Sequence, residues 1–434
     1  MFDVNVNLPE QYEGINVAAV GGFPRDVYMG RERNDVDLVV TGVTPEDMRN
    51  RGFTHIMSAD TRKPVFVDDL DREVAIARTE QSTGRGHDEF DMDIVDPSLS
   101  HEEALRRDLE RRDLTMNAIA VDVRSGEVFD PFNGREDIDN GVIRHVSSAF
   151  TEDPLRVVRV ARYAARFGFE IAEETQHLMD EISEDVSELT RGRLGGELVK
   201  AMKQAGNPRR FFDVLRETNS LRDAFPEIMA LDDVPAGPEQ YHGEGSAYEH
   251  TMRVLNAMFE LRGNDVEALL GALAHDIGKS RTPEDVLPHH YGHEQRGREV
   301  ATELRSELQI SRDLDGVMST SAEVHGNLSQ LDEVNVTTVL DIAGRVRHSP
   351  LNPSQIADLA ASDGMGREPQ MDVERDEIEE TLTEAISVID EIGGSEALES
   401  RGMTTDDIGE EVEPEQVGNL IRQDRAEELR SRIR

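Results

Sequence analysis

The stretch from Val17 to Val40, VAAVGGFPRDVYMGRERNDVDLVV, constrains the fold more than any other part of the chain. Asn16–Val20 reads as a strand, Gly21-Gly22 as a turn, the next residues as a short helix, and Val36–Val40 as a second strand. The glycine pair lets the backbone come close to a ligand. Gly22 and Arg25 stand at the mouth of the short helix, where backbone N–H groups favour phosphate. Asp35 and Asp37 lie at i and i+2 on the second strand, so both carboxylates are expected on one face. Two oxygen donors beside a phosphate-binding turn suit a Mg²⁺-nucleotide site, which makes Asp35 and Asp37 the candidate catalytic and Mg²⁺-binding pair. The bland competitor is a solvated edge strand after an ordinary turn.

At 434 residues the chain has room for two to four domains. Its net charge is −43, with only four lysines (Lys63, Lys200, Lys203, Lys279) among 47 basic residues. Such a composition suits either disorder or a globular protein with a carboxylate coat, and recurrent apolar runs favour the second. In molar salt, where the Debye length is ~3 Å, that coat is well screened. The acidity therefore reads as adaptation to high salt, a halophilic signature that leaves an RNA partner open. The absence of cysteine excludes disulfides and thiolate metal sites and suits a cytoplasmic location. No apolar run approaches the ~20 residues of a membrane span and no signal peptide precedes Gly14, so a soluble protein without a membrane partner is expected.

Residues 1–140 alternate strand-like and helical runs. Pro64–Val67 and Arg72–Ala77, separated by Asp68-Asp69, form a hairpin signal, and Glu73 is a further candidate metal carboxylate. Thr79–Leu99 is glycine- and acid-rich and predicts a mobile loop able to close over substrate. LRRDLERRDLTMNAIAVD (105–122) places arginines on a helix, with Asp113, Thr115 and Asn117 as polar groups at its end. From about residue 150 the pattern is helical. TEDPLRVVRVARYAARFGF carries a Thr151 cap, an early Pro154 and a ladder of Arg156, Arg159, Arg162 and Arg166. Asp153 and Arg156, at i and i+3, offer an acceptor beside a forked donor that matches the edge of cytosine or adenine; an ordinary helix salt bridge is the commoner meaning of such a pair. A further helix, Leu189–Met202, has Arg193, Glu197 and Lys200 on one side.

A Pro/Gly-rich break at 226–247 marks a boundary. Beyond it, His250 opens an amphipathic helix, an apolar run ends in His275-Asp276, and PHHYGHE supplies His289, His290 and His293 before His325. Histidines with a His-Asp doublet across helices suit a metal cage of imidazole and carboxylate. The last stretch reads as an acidic helix, a Gly-Gly-Ser break and a final helical pair. The expected division is 1–140, 141–228, 229–370 and 371–434.

Together these motifs resemble the class II tRNA nucleotidyltransferases, the CCA-adding enzymes of the polymerase-β-like superfamily, and within them the bacterial branch with a C-terminal HD phosphohydrolase domain. GGFPRD with DVD is similar to the metal motif, and RRDLTMNA (Arg111–Ala118) to the ribose-contacting one. DPFNG (Asp130–Gly134) is similar to the head–neck hinge, EDPLR (Glu152–Arg156) to the protein template that selects C and A, and RGRLGGELVK to the neck helix behind it. His250, His275-Asp276 and the Ser-Asp-Gly-Met-Gly-Arg stretch ending at Arg367 are similar to the HD domain. Phe23-Pro24 departs from the small apolar pair usual before the arginine, and the acidity is not typical of the family.

The resemblance implies an α+β chain: a mixed-sheet nucleotidyltransferase head (1–140), an all-α neck and body (141–228), an all-α HD domain (229–370) and an acidic helical tail (371–434). It implies stepwise addition of C, C and A to the 3′ end of tRNA from CTP and ATP, by a monomer or homodimer. Nucleotide contacts would come from Gly22, Arg25, Arg112, Asp113, Asn117, Asp153, Arg156, Arg159 and Arg162. Asp35 and Asp37 would bind Mg²⁺. At the HD site His250, His275, Asp276 and Asp363 would bind a divalent transition metal such as Ni²⁺ or Mn²⁺, with His293 and His325 as further candidates and Asp341 as a weaker alternative to Asp363. Phosphohydrolysis of 2′,3′-cyclic phosphates, 2′-nucleotides and other phosphomonoesters would be a second activity. Two alternatives compete: a poly(A) polymerase of the same fold, and an HD phosphohydrolase whose N-terminal half only binds RNA.

Overall fold

The computed structural model describes residues 6–31, 36–56, 65–82, 90–392 and 414–433, so Asp35 and the Gly-Gly-Ser break lie outside the described residues. The chain forms two compact units. One comprises Met1–Leu189 and Val214–Ala224, the other Thr190–Asp213 and Phe225–Arg434.

The first unit is built on a seven-stranded mixed sheet. Its strands in chain order are β1 (Asn16–Val20), β2 (Asp37–Thr41), β3 (Thr54–His55), β4 (Val65–Val67) and β5 (Glu73–Ile76), followed, after the separate hairpin of β6 (Arg78–Ser82) and β7 (Phe90–Ile94), by β8 (Ala120–Asp122) and β9 (Val128–Phe129). The spatial order is β3-β4-β5-β2-β1-β8-β9. β1 pairs antiparallel with β2, Val20 opposite Asp37, and β2 pairs parallel with β5, Leu38 opposite Val74. Period-2 alternation splits the side chains between two faces. Val17, Ala19, Leu38, Val40 and Val74 pack with Tyr12, Phe23 and Phe66 on one face. Val20, Val39 and Ala77 pack on the other with Leu105 and Leu109, from the His101–Glu110 helix.

Three local expectations change. The second strand starts at Asp37 rather than Val36. The stretch Thr79–Leu99 contains the β6–β7 hairpin, with Arg78 opposite Ile94, because Phe90, Met92 and Ile94 alternate with acids at the period of a strand. The long helix begins at Leu155 and not under a Thr151 cap. Ser148–Glu152 is a 3₁₀ turn, and Asp153 Oδ1 accepts from Leu155 N (3.1 Å) just where Pro154 lacks an N–H.

The second unit is helical throughout its described residues. Ser246 caps the Ala247–Arg262 helix by accepting from Glu249 N (3.2 Å). The Val266–Ala274 helix, apolar apart from Glu267 in its first turn, runs through the core and delivers His275 and Asp276 at its end. Gly278, two residues later, lies against the His293–Glu307 helix so closely that a Cβ would stand 2.0 Å from His293 O and 2.3 Å from Gly297 N. Only glycine allows this backbone contact, which brings the helix carrying His293 up to Asp276. Asn352 caps the Pro353–Gly366 helix, on which Asp363 is carried. No described helix is long and apolar enough to cross a membrane.

The close contact at Gly278 predicts that Gly278→Ala destabilises the protein by about 3 kcal/mol or more, since the clash is with backbone that cannot rotate away. Gly344→Ala, in the Val336–Arg347 helix with open space around its Cβ, is the control and is expected to stabilise by about 1 kcal/mol. Chemical denaturation of both variants, followed by circular dichroism, checks the pair.

Candidate functional site

In the first unit the candidate site forms where β1 ends and β2 begins. Gly21 takes φ 74°, and a Cβ there would lie 2.9 Å from Arg112 Nη1 and 3.5 Å from Asp37 Oδ2. The glycine turn, Arg112 and Asp37 therefore meet at one point. The parallel register of β2 and β5 sets Glu73 beside Asp37, and both carboxylates are exposed at the starts of their strands. Exposed carboxylates grouped next to a bare glycine backbone fit a hydrated Mg²⁺ and its triphosphate. Gly22, half-buried, is the first residue of the Gly22–Tyr28 helix.

Arg112 is aimed by buried Asp108, whose Oδ2 is 3.3 Å from Arg112 Nη2 and whose Oδ1 is 2.9 Å from Arg111 Nη2. Burial would raise the Asp108 carboxyl, but the two guanidinium groups hold it below the usual carboxylate range. Asp113 is also buried. It accepts from Arg159 Nε (2.7 Å), Asn117 Nδ2 (3.1 Å) and Leu114 N (2.9 Å). Burial again opposes ionisation, and Arg159 with Asn117 outweighs it, so Asp113 stays an acceptor far below neutral pH. Arg156 donates to Ala149 O (2.6 Å) and Arg111 O (2.8 Å), which fixes its buried guanidinium near half-buried Asp153 at the start of the helix.

Arg25 is placed differently from the expectation of an open helix mouth. It is only 1% exposed, donates from Nε to Asp26 Oδ1 (2.7 Å) and from Nη1 to Asn117 Oδ1, and lies 5.3 Å from the Tyr163 ring and 5.0 Å from the Phe167 ring. Asp26 also receives Arg166 Nη2 (3.2 Å). The side chain turns inward because a carboxylate, an amide and two aromatic faces there satisfy a charge that burial would otherwise penalise. Arg162, 4.2 Å from the Tyr163 ring, and Arg159, at 5.8 Å, belong to the same stack. Burial would raise the Tyr163 phenol, yet Arg159, with Arg162 and Arg25, brings it down to about 8. Sequence reasoning missed Asp26, Tyr163 and Phe167; the aromatic pair at i and i+4 facing a basic ladder was the available signal.

In the second unit the HD residues converge. His250 Nε2 lies 3.0 Å from Asp363 Oδ1 and 3.5 Å from Asp276 Oδ2, and His275 Nε2 lies 3.3 Å from that same Asp276 oxygen. The other Asp276 oxygen is 3.2 Å from His325 Nε2 and 3.4 Å from His293 Nε2. Two triads result, His250/His275/Asp363 and Asp276/His293/His325, each with donor atoms within 4.8 Å of one another. Asp341 is exposed and its carboxylate is 3.6 Å from Arg422, so of the two candidates it is Asp363 that joins the cluster. His290 stands apart: its ring nitrogens bond Thr282 Oγ1 (2.8 Å) and Pro235 O (2.7 Å).

The ring nitrogens show why this cluster suits a cation. His275, His293 and His325 each place Nδ1 on a backbone carbonyl, of Ala272 (2.7 Å), His290 (3.0 Å) and Ala322 (3.0 Å). A carbonyl only accepts, so Nδ1 carries the hydrogen and Nε2 presents a lone pair to the centre. His293 and His325 then face each other Nε2 to Nε2 at 3.0 Å, an arrangement that a cation or a proton must relieve. Buried His275 Nε2 has no hydrogen-bond partner among the described residues. For His250 burial favours the neutral ring, but Asp363 and Glu244 outweigh it and push it up to about 9, so a metal there displaces a proton. Lys279 Nζ, 2.7 Å from Asp276, and Arg367 Nη2, 2.7 Å from Asp363, offset part of the negative charge. The sequence reading assigned no role to Lys279 and missed His242 and Glu244, whose only signal was a His-x-Glu six residues before His250.

Three family descriptions match in series: "Poly A polymerase head domain" at residues 17–144, "Probable RNA and SrmB- binding site of polymerase A" at 168–231, and "HD domain" at 247–359. The multifunctional CCA protein of Laribacter hongkongensis (strain HLHK9) is 41% identical over 345 residues, which are 79% of this chain and 82% of that protein. That of Nitrosococcus oceani is 38% identical over 335 residues, 76% of this chain and 80% of that protein. Among solved structures, a CCA-adding enzyme in complex with ATP aligns with a TM-score of 0.58 at 18% identity, covering 97% of this chain and 87% of that one. The Thermotoga maritima CCA-adding enzyme complexed with tRNA aligns at 0.58 and 17%, covering 97% and 89%; at such identities the likeness shows the fold. The nucleotidyltransferase and HD domains imply dependence on divalent metals. With serial domain matches and relatives of this identity and coverage, the chain belongs to the multifunctional CCA protein family and is a CCA tRNA nucleotidyltransferase.

Proposed function

We propose that the first unit adds C, C and A one at a time to the 3′ end of tRNA, taking CTP and ATP without a nucleic-acid template. The observation that carries this reading is the meeting of Gly21, Asp37, Glu73 and Arg112 at one end of the sheet. Asp35 and Asp37, with Glu73 beside them, would hold Mg²⁺, which when bound acidifies the primer 3′-OH and neutralises the triphosphate. Arg112 meets the phosphates, and Asp113, held ionised by Arg159 and Asn117, accepts from the sugar hydroxyls. Asp153 and Arg156 read the base: arginine donates to the ring acceptor of cytosine or adenine and aspartate accepts from the exocyclic amine. Arg25, with Asp26, Tyr163 and Phe167, fixes the glycine turn against the base-reading helix rather than touching phosphate. Most of the catalysis is positioning and charge neutralisation. Shape recognition of the tRNA acceptor arm suits a chain whose surface is acidic.

The HD cluster is proposed as a phosphohydrolase centre in which His250, His275, Asp276 and Asp363 hold Ni²⁺ or Mn²⁺, with Asp276, His293 and His325 as a second set of donors. A cation there supplies Lewis acidity toward a phosphoryl oxygen. Lys279 restrains the Asp276 carboxylate, both of whose oxygens face the histidines, and Arg367 holds Asp363 Oδ2, which leaves Oδ1 toward His250.

The two activities are expected to separate by mutation. Asp37→Ala should lower nucleotide addition at least about 10²- to 10³-fold, the usual cost of losing an electrostatic group of the transition state, and leave phosphohydrolysis intact. Asp276→Ala should do the reverse, and loss of both activities in either variant would show that the centres are not separable. Arg156→Ala should relax discrimination against UTP and GTP; unchanged discrimination would remove the base-reading role. Incorporation of labelled CTP and ATP into tRNA lacking its terminal CCA, followed from low to molar salt, tests the whole reading. Addition is expected to stop after CCA, whereas long A tails would identify a poly(A) polymerase.

A further inference from the structure

Glu244 lies outside the HD residues proposed as metal donors, yet it is buried with its side chain 0% exposed. Its Oε1 is 2.9 Å from His250 Nδ1 and 2.7 Å from His242 Nδ1. Its Oε2 accepts from Glu368 N (3.0 Å), and the neighbouring Gly243 N donates to Glu368 O (2.7 Å). Glu368 directly follows Arg367, which holds the Asp363 carboxylate. One carboxylate thus touches the back of His250 and, through a two-way backbone link, the segment that follows Asp363.

The four histidines of the centre differ in what backs them. His275, His293 and His325 have a neutral carbonyl at Nδ1, while His250 alone has a carboxylate oxygen there, 2.9 Å away in an ion-pair contact not aligned as a hydrogen bond. An ionised carboxylate this close favours the hydrogen on Nδ1 through its charge more than a carbonyl does. It therefore leaves Nε2 to face the metal and makes it a better donor. His242, sharing the same oxygen, holds Glu244 in place from its other side, and the His242 and His250 rings meet edge to face at 5.3 Å.

We propose that Glu244 is a positioning residue of the HD centre, which sets His250 as the strongest imidazole donor and ties it to the Asp363 segment. The proposal rests on the metal-binding reading of that centre. The test uses the full chain stripped with a chelator and titrated with Co²⁺, whose visible ligand-field bands report both occupancy and geometry. Glu244→Gln is expected to weaken Co²⁺ binding about 10- to 100-fold, the usual effect of losing an outer partner of a ligand, and to shift the bands. The melting temperature of its metal-free form and its nucleotide addition should stay close to wild type. Glu244→Asp, which keeps a carboxylate, should recover part of the affinity. Unchanged affinity and bands in Glu244→Gln would overturn the proposal alone. So would a fall in metal-free melting temperature in both variants with affinity lost in neither, the pattern of a merely structural residue. Failure of the wild-type chain to bind Co²⁺ would overturn the underlying reading of the HD centre and the proposal with it.

Discussion

The strand register around Asp37 is the constraint on which the catalytic end of the first unit depends. Val20 faces Asp37 across one ladder, and Leu38 faces Val74 across the next. A slip of one residue would send Asp37 and Val39 to the face packed by Leu38 and Val40, placing a carboxylate among Tyr12, Phe23 and Phe66. The apolar residues behind Asp37 therefore hold its carboxylate at the open end of the sheet. The same ladder ends β1 at Val20, so the chain must turn where Gly21 brings bare backbone up to Arg112 and Asp37.

The second unit reaches its centre by a different route. Its donors come from helices, and what aims them is the bonding of each ring's far nitrogen. Carbonyls of Ala272, His290 and Ala322 lie three residues before His275, His293 and His325, so each ring is locked by its own turn of chain. His250 sits inside a continuous helix whose carbonyls are already used, and there the charge of a carboxylate from the preceding loop, 2.9 Å from Nδ1, stands in place of a carbonyl. Local backbone supplies the acceptor where a helix ends or begins, and a carboxylate supplies charge instead where the helix runs on.

Much of this was legible in the sequence, for physical reasons that differ from place to place. Short-range spacing carried the glycine turn, the Asp37 strand and the Asp68-Asp69 hairpin, in which Asp68 Oδ1 accepts from Leu70 N (2.9 Å) and Arg72 N (3.0 Å). The His-Asp doublet at the end of an apolar helix carried the HD centre, and its family resemblance separated Asp363 from Asp341. The destination of Arg25 was not legible: nothing near it in sequence shows that Asn117, Tyr163 and Phe167 wait on its inner side. The β6–β7 hairpin was hidden because acidic residues fill the alternate positions of β7 and flatten the hydropathy signal. Glu244 was hidden because, beyond its neighbour His242, the residues it meets, His250 and Glu368, lie 6 and 124 residues away.

The trio of buried Arg25 and Asp26 with half-buried Arg166 has a consequence for how such a chain can diverge. Asp26 receives both arginines, and Arg25 also lies against the stacked pair of Tyr163 and Phe167 rings. Removing Asp26 strands the buried Arg25 charge and removing Arg25 leaves buried Asp26 with one partner fewer, whereas exchanging the set for apolar residues of similar volume need not destabilise. Drift at these three positions is therefore slow singly and permitted jointly. Among descendants of this sequence, substitutions at 25, 26 and 166 should travel as a correlated block, and Tyr163 and Phe167 should be freed to vary only where that block has changed.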